Sequence, residues 1–543
     1  MANGQWLKAK KFMGFLNFFK MSAPKPLRTD LDEAGQRKLH RSFAFQSFIA
    51  GTLGYSFYYV CRAAINVMKK PIIDSGLLDA DQLGSIGAVG LATYAIGKFV
   101  NGFLADYSNI KRFMATGLIV SAIACFFMGV IGLSGSKALD AENATKAKTE
   151  VVAAATADNT ATQVAINANA EEQATTVEAS NAEVKNEATV VAEVEGTKAE
   201  ITNKENKGQK ASQISFLVFI AFAILWGVSG WGQSMGAPPA IIALSRWFPL
   251  SKRGTYYGFF SASHNIGEGL SFVFVGLIVA SAGWQWGFFG AAIAGVVGIL
   301  TILFLMHDTP ESKGLPSIEV YAKEKVSGKS VSAKEAQRIA LRTPAVWILA
   351  LASAFMYISR YSLNSWGVLF MQEAKNYSLG EASIIISINA WMGVIGTVLA
   401  GWMSDTLFKG DRKIPAFVSG VLLSISYILF IYGGDAYWVS VVSLALFGVA
   451  IGVLIAFLGG LMAVDVVPRN ATGAALGIVG MLSYAAASIQ EKVSGYLVDN
   501  NITINEAGEK VYDFSDAAIF WIGASVISFL LPMLLWGKKK VEE

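Results

Sequence analysis

The sequence predicts an all-α membrane protein with twelve transmembrane helices in two pseudo-symmetric six-helix halves. Only 15% of its 543 residues are charged, whereas soluble proteins average about 25%. Apolar runs long enough to cross a bilayer recur along the whole chain. A polar pattern in the first run, Tyr59, Arg62 and Asn66, returns near residue 360 with the same spacing, which indicates an internal repeat.

The expected helices follow from the apolar runs, all of which exceed the length of about 18 residues that is typical of membrane spans. They are 44–67, 83–105, 113–133, 214–238, 254–281, 285–306, 344–371, 382–403, 414–433, 437–463, 471–497 and 516–536. Both cysteines, Cys61 and Cys125, lie inside these runs. Their spacing suggests no disulfide and no metal site, and we expect no cofactor.

The segments outside the spans divide the chain further. Residues 135–213 contain no aromatic residue and no proline, which favours an extracytoplasmic, disordered or weakly helical insert. We expect a basic tail at 1–43, six-helix halves at 44–306 and 344–537, a cytoplasmic linker at 307–343 and a short tail at 538–543. No large soluble domain, P-loop or Rossmann pattern is present, so neither nucleic-acid binding nor an enzymatic activity is expected.

The placement of positive charge predicts the orientation. If the N-terminus is cytoplasmic, 28 of the 44 lysines and arginines lie in cytoplasmic segments and 12 lie outside, eight of them in the insert. Long loops count little in the positive-inside rule. We therefore expect a multi-pass protein of the inner (plasma) membrane with both termini in the cytoplasm. The remaining four cations fall inside spans: Arg62, Lys98, Arg360 and Lys492.

The two intramembrane arginines are the main indication of function. A central arginine costs about 2.5–3.5 kcal/mol to insert, so each needs a compensating partner. Each lies on one helical face with other polar residues. The stripes are Tyr55, Tyr59, Arg62 and Asn66 in the first half, and Ser353, Tyr357, Arg360 and Asn364 in the second. We expect the stripes to line a cavity; the alternative is structural pairing with a carboxylate or carbonyl.

A guanidinium group offers paired donors that match phosphate bidentately, although carboxylate ligands also fit this chemistry. Other polar residues in the spans are candidates for the same cavity. Lys98 follows Tyr94 by one turn, and His264 has a side chain that titrates near neutrality. Glu268 lies one turn beyond and pairs either with His264 or with an arginine. Lys492 faces either the cavity or the outer interface.

A second repeated element stands at the inner ends of the second and eighth spans. Asp106 follows Arg62 by 44 residues, and Asp405 follows Arg360 by 45. Each is followed by a basic pair, of which Arg112 and Arg412 are members. We interpret these residues as gating and packing elements, with carboxylates that cap neighbouring helix N-termini.

With these residues placed, the chain resembles the major facilitator superfamily, and within it the organophosphate:inorganic phosphate antiporters, most of all bacterial hexose-phosphate transporters. The resemblance covers nearly everything except the tail and the insert. It rests on Gly54-Tyr55…Tyr59-Val-Cys-Arg62, Tyr94…Lys98, Trp247-Phe-Pro-Leu-Ser-Lys252-Arg253-Gly254, Ser263-His264-Asn265-Ile-Gly267, Tyr357-Ile-Ser-Arg360, Gly401-Trp-Met-Ser-Asp405 and Val467-Pro-Arg469…Gly473.

The resemblance implies that Arg62 and Arg360 bind phosphate and that His264 contributes. It further implies a site lined by Tyr55, Tyr94 and Lys98, and likens Lys492 to a lysine typical of hexose-phosphate members. The implied activity is exchange of a sugar phosphate, such as glucose 6-phosphate, for inorganic phosphate by a monomer using alternating access.

The alternatives are a glycerol 3-phosphate antiporter, a facilitator for other organic anions, and a membrane sensor of external sugar phosphate with a kinase partner. The chain departs from the family pattern at Ala63, Glu268 and Ser488, where lysine, glycine and aspartate are usual.

Overall fold

The computed structural model describes residues 17–171, 210–322, 333–408, 411–468, 471–506 and 508–536. Within these ranges the protein is almost entirely helical. The first part of the chain forms α1 Glu33–Asp74, α2 Ala80–Asp106, α3 Ile110–Glu171, α4 210–233, α5 Ala237–Trp247, α6 Leu250–Ser261, α7 Ser263–Leu270, α8 Gly276–Ala282 and α9 Trp284–Leu305. A π-helical turn at Ser271–Val275 joins α7 to α8.

The second part begins with two short helices of the linker and continues with long apolar ones. Its elements are α10 Ile318–Ala322, α11 Ala333–Arg342, α12 Pro344–Ala374, α13 Leu379–Trp402, α14 Lys413–Tyr432, α15 Tyr437–Ala456, α16 Met462–Asp465, α17 Thr472–Asn500 and α18 Ser515–Met533. Two further π-helical turns occupy Met403–Leu407 and Phe457–Leu461. The strands β1 Ile502–Ile504 and β2 Lys510–Tyr512 pair antiparallel between α17 and α18.

Eleven helical segments of the described chain are long and apolar enough to cross a membrane. The predicted span 44–67 is not among them, although it lies entirely within the 42-residue helix α1. The tyrosines, serines and glutamine of this segment lower its mean hydropathy. These polar groups face other helices. The predicted all-α membrane fold is confirmed.

The internal repeat is visible at the starts of α2 and α13. The side chain of Asp79 accepts a hydrogen bond from the backbone N–H of Gln82, and the side chain of Gln82 accepts one from the backbone N–H of Asp79. Ser378 and Glu381 form the same reciprocal capping box at the start of α13. Such boxes satisfy two of the unpaired N–H groups of a first turn. Equivalent helices of the two halves therefore begin in the same way.

The insert begins as a helix. The chain divides into two compact units, and residues 75–78 and 130–221 form the smaller one. A disordered or weakly helical insert was expected from residue 135, and α3 continues to Glu171. Residues 137–171 contain neither glycine nor proline and are rich in alanine, so the sequence has no helix breaker there. The rest of the expected loop, 172–209, lies outside the described residues.

Helices α2 and α17 are in close contact near the start of α2. A Cβ atom added to Gly84 would lie 2.5 Å from the carbonyl oxygen of Glu491 and 2.9 Å from the Cα of Gly495. Farther along the same helices, a Cβ atom on Gly102 or Gly473 would meet no described atom within 4 Å. We call the end near Gly84 the closed end and the end near Gly102 the open end.

A second pair of segments is packed tightly toward the closed end. A Cβ atom on Gly276 of α8 would lie 2.7 Å from the Cβ of Ser383 in α13. One on Gly269 of α7 would lie 2.8 Å from the ring of Trp391. Gly258, in α6, has no described neighbour within 4 Å of its Cβ position. Helices from the first and second parts of the chain therefore meet at the closed end.

A buried ion pair joins α1 to α17 at the closed end. The Nζ of Lys69 donates to Glu491 Oε2 at 2.9 Å and to Ser365 Oγ at 2.6 Å, and lies 3.5 Å from the centre of the Trp366 ring. The side chain of Lys69 is 1% exposed. We call these four residues the closed-end latch. Lys69 lies beyond the predicted span 44–67, and it is buried because α1 continues to Asp74.

The packing at Gly84 predicts that a single methyl group opens the closed end. We expect Gly84→Ala to separate α2 from α17, because its Cβ atom has no room beside Glu491 and Gly495. Nitroxide labels at Ser85 and Tyr496 would report the separation by double electron–electron resonance. We expect longer distances in Gly84→Ala and unchanged ones in the matched control Gly102→Ala. An identical distribution in both variants would contradict the assignment of the closed end.

Candidate functional site

Arg62 is held in place by one hydrogen bond and two aromatic rings. Its Nε donates to Gln233 Oε1 at 2.8 Å. Its Cζ lies 3.9 Å from the centre of the Tyr94 ring and 4.5 Å from that of Tyr59. Stacking on aromatic faces stabilises a desolvated guanidinium group. The residue is 8% exposed, so its orientation is fixed by packing rather than by solvent.

The two terminal nitrogens of Arg62 differ from its Nε. Nη1 and Nη2 are buried and have no hydrogen-bonding partner among the described residues. A buried donor without a partner costs about 1–3 kcal/mol, and more when it is charged. Gln233 therefore fixes the guanidinium group through Nε and leaves Nη1 and Nη2 available for an anion.

Arg360 is compensated within the protein. Its Nη2 donates to Glu268 Oε2 at 2.9 Å, and Asn364 Nδ2 donates to Glu268 Oε1 at 2.7 Å. Arg360 is 3% exposed and Glu268 is 5% exposed. Of the two partners that the sequence left open for Glu268, the structure selects an arginine. The site is thus asymmetric, since one arginine has an internal counterion and the other does not.

His264 and Tyr361 connect the two arginines. Both guanidinium groups act electrostatically on each of these side chains. The ring of His264 lies 5.8 Å from that of Tyr59. The Nε2 of His264 and the hydroxyl of Tyr361 are buried without a hydrogen-bonding partner in the described part of the chain. Polar groups with unused hydrogen-bonding capacity are therefore concentrated around the arginines.

Tyrosines from four helices complete the wall. The rings of Tyr94 and Tyr484 lie 4.6 Å apart, and Tyr357 lies 5.3 Å from Tyr484. The hydroxyl groups of Tyr55 and Tyr94 are 3.4 Å apart. Lys98 joins this wall, with its Nζ 4.9 Å from the centre of the Tyr484 ring. The structure thus brings together seven of the eight predicted binding residues: Arg62, Arg360, His264, Lys98, Tyr55, Tyr59 and Tyr94.

Sequence reasoning missed three members of this group. Gln233, Tyr361 and Tyr484 contact the arginines or the tyrosine wall directly. Gln233 is a buried amide within the apolar span 214–238, which is a detectable signal. Tyr361 follows Arg360 in the sequence, but Tyr484 stands in α17 with nothing in the local pattern to single it out.

Lys492 lies apart from the cluster. Its Nζ contacts Asp81 Oδ1 at 2.5 Å and Oδ2 at 2.6 Å, and its side chain is 48% exposed. Asp81 stands in the first turn of α2, so this pair joins α17 to α2 at the closed end. The structure favours the outer-interface alternative of the two positions considered, because the acidic start of α2 draws the lysine outward.

The predicted gating residues lie toward the open end, but the capping carboxylate is another one. Asp308 Oδ1 accepts from the backbone N–H of Ile110 at 3.1 Å and from Arg246 Nη1 at 2.6 Å. Asp106 is exposed, and its backbone carbonyl accepts from Arg246 Nη2 at 3.2 Å. The N-terminus of α3 is therefore capped by Asp308 and by Asn109, whose Oδ1 accepts from the backbone N–H of Arg112 at 3.0 Å, and not by Asp106. The linker begins near this helix terminus, a proximity that the sequence does not reveal.

Arg112 and Arg412 both bind neighbouring segments. Arg112 Nη1 donates to the carbonyl of Phe18 at 3.0 Å, which ties the N-terminal segment to α3. Arg412 Nη1 pairs with Asp465 and donates to the carbonyl of Leu461 at 3.2 Å. The side chain of Asp405 lies outside the described residues. The basic members of this repeated element thus act in packing, while their gating role stays a prediction.

The sequence profile of the Major Facilitator Superfamily matches residues 211–490, more than half of the chain. The protein therefore belongs to the Major Facilitator Superfamily. A crystal structure of a bacterial homolog of the human lysosomal transporter Spinster, inward-facing and unoccupied, superposes with a TM-score of 0.58 at 15% identity. The alignment covers 91% of this chain and 95% of the other, and supports the same fold.

Curated relatives confirm the resemblance to organophosphate:phosphate antiporters. A probable hexose phosphate transport protein of Chlamydia muridarum is 27% identical, covering 86% of this chain and 87% of the relative. A glycerol-3-phosphate transporter of Bacillus subtilis is 26% identical, covering 97% and 99%. The membrane sensor protein UhpC of Escherichia coli is 25% identical, covering 87% and 90%.

The internal compensation of Arg360 leads to a stability prediction. We expect Glu268→Ala to destabilise the purified protein by about 3–5 kcal/mol, because it leaves a buried guanidinium without its counterion. Thermal or denaturant unfolding in detergent would measure the loss. The matched control is Glu381→Ala, which removes an exposed capping carboxylate from α13 and costs about 0.5–2 kcal/mol. Equal losses in the two variants would argue against a buried ion pair at Glu268.

Proposed function

We propose that the protein is a secondary antiporter that exchanges a sugar phosphate, a hexose phosphate such as glucose 6-phosphate, for inorganic phosphate. The observation that carries this proposal is the pair of buried, unpartnered terminal nitrogens on Arg62. Two parallel N–H donors of a guanidinium group match two oxygens of a phosphate. The aromatic wall beside it suits the apolar faces of a sugar ring, and His264 and Lys98 supply further donors.

The same arginines account for exchange rather than one-way flux. Without an anion, Arg62 keeps a buried charge that is stabilised by rings and one amide only. Movement of that charge through a closed intermediate state is costly in a low-dielectric interior. A bound phosphate group compensates the charge, so the loaded carrier reorients more readily than the unloaded one. Inorganic phosphate or a phosphate ester serves equally well in that role.

The asymmetry between the two ends supports alternating access across the membrane. The closed end carries the latch around Lys69 and Glu491 and the contact of Gly84 with Gly495. The distribution of lysine and arginine supports an open end that faces the cytoplasm. In this interpretation the structure is the inward-facing state, in the inner membrane, with both termini cytoplasmic.

Two relatives suggest alternatives, one for the transported ligand and one in which ligand binding leads to signalling and not to transport. The glycerol-3-phosphate transporter is as similar as the hexose phosphate transport proteins, and glycerol 3-phosphate would use the same phosphate contacts. The similarity to a membrane sensor favours, as a second candidate, ligand binding without productive flux. A sensor would need a signalling partner such as a kinase, whereas the antiporter acts as a monomer without cofactors.

Counterflow in proteoliposomes tests the proposal. We expect Arg62→Lys and Arg360→Lys to reduce exchange of preloaded phosphate by at least about tenfold, because lysine keeps the charge but loses the bidentate fork. Arg37→Lys is the matched control: Arg37 is exposed and pairs with Glu33 on the surface of α1, and its exchange should equal that of the unmodified protein. Full activity in either site variant would refute the assignment of the arginines.

The same preparation separates the alternatives. External glucose 6-phosphate, other hexose phosphates and glycerol 3-phosphate compete in parallel against preloaded phosphate. Fastest counterflow with a hexose phosphate supports the proposal, and fastest counterflow with glycerol 3-phosphate replaces it by the related antiporter. Saturable binding of sugar phosphate without any counterflow would instead identify a sensor.

A further inference from the structure

Glu268 occupies the position in which an anionic ligand would meet Arg360. Its Oε2 accepts from Arg360 Nη2 at 2.9 Å and its Oε1 accepts from Asn364 Nδ2 at 2.7 Å. These are two donors on one face of α12, arranged around one carboxylate. Glu268 is therefore an internal anion at Arg360, the arginine of the second half that is equivalent to Arg62.

Among the described residues, the elements packed against α7 bring no second carboxylate near Glu268. On its own helix, α7, the titratable neighbour is His264. Helix α1, which packs against α7, brings Tyr59 and Arg62, and α12 brings Arg360 and Tyr361. Helix α13 packs against α7 with Trp391; the one charged residue of α13, Glu381, caps its far end and is exposed.

A phosphate that takes the Nη2 donor of Arg360 replaces this carboxylate there. Glu268 is 5% exposed where it stands, and a carboxylate displaced from Arg360 would be without its cation and beside the charge of the phosphate. Burial and a nearby like charge both favour the protonated form of a carboxyl group. The displaced Glu268 is thus expected to take up a proton.

We propose that Glu268 couples ligand binding to protonation: the phosphate group replaces Glu268 at Arg360, and Glu268 takes one proton from water as it leaves. No covalent bond of the ligand is made or broken. When the ligand departs, Glu268 releases the proton and pairs with Arg360 again. This inference rests on the proposed function and adds to it that the loaded carrier holds one more proton than the unloaded one.

A phosphate that binds without contacting Arg360 predicts no proton uptake. If the phosphate binds only Arg62 and Lys98, the pair of Glu268 with Arg360 stays intact and no proton is taken up. The number of protons bound per ligand therefore distinguishes displacement from simple addition.

The experiment uses the purified full chain in detergent in a weakly buffered solution at about pH 8 with a pH indicator. Phosphate monoesters have a second pKa of about 6, so glucose 6-phosphate is a dianion there. We expect an uptake of about one proton per bound glucose 6-phosphate in the unmodified protein, and almost none in Glu268→Gln, which cannot be protonated but keeps the shape. Glu381→Gln, on the exposed start of α13, should retain the uptake.

Affinity as a function of pH gives a second readout. If binding takes up one proton, the Kd of the unmodified protein rises by up to tenfold for each unit by which the pH is raised. The Kd of Glu268→Gln should not change with pH. If the glutamine variant does not fold, Glu268→Gly replaces it. Binding without proton uptake in the unmodified protein, or equal uptake in the Glu268 variants, would overturn the coupling. If the unmodified protein binds neither glucose 6-phosphate nor inorganic phosphate, the proposed function itself fails.

Discussion

The burial of two guanidinium groups within the membrane is the constraint on which the rest of the structure depends. Neither Arg62 nor Arg360 is more than 8% exposed. The protein compensates them by different means, with rings and an amide at Arg62 and with a carboxylate at Arg360. The terminal nitrogens of Arg62 are therefore without a counterion among the described residues, whereas Arg360 is paired with Glu268.

The polar character of the site determines how its helices are built. Helix α1 carries the tyrosines and Arg62 along one face, and it lacks the hydropathy of an ordinary span for that reason. Its face continues past Asn66, which accepts from Ser365 Oγ at 3.1 Å, to the latch at Lys69. One helix thus links the site to the closed end, so a change at the arginines has a direct route to the latch.

Repetition made much of this predictable from the sequence. Arg62 and Arg360 are recognisable because each cation stands at the same place in two apolar runs, and helical spacing puts Tyr55 and Tyr59 on the same face. The fold class followed from the length of the runs. Lys98 and Tyr94 were found because they lie one turn apart in a second apolar helix.

Contacts between distant segments were beyond the sequence. Nothing near Lys69 indicates that Glu491, more than four hundred residues later, buries it. Lys492 illustrates the reverse case, since its neighbour Asp81 is invisible in the pattern of α17 and draws the side chain away from the site. Asp308 caps α3 although a carboxylate closer in sequence, Asp106, was available. In each instance the decisive partner is fixed by tertiary packing, which local spacing does not encode.

The central claim is that the free nitrogens of Arg62 bind a phosphate group, and calorimetric titration of the purified protein with inorganic phosphate tests it most directly. A charge-assisted hydrogen bond contributes about 1.5–3 kcal/mol, which corresponds to about 10- to 150-fold in Kd. We expect saturable binding by the unmodified protein and a loss of this size in Arg62→Lys. Equal affinities in the two proteins would contradict the account.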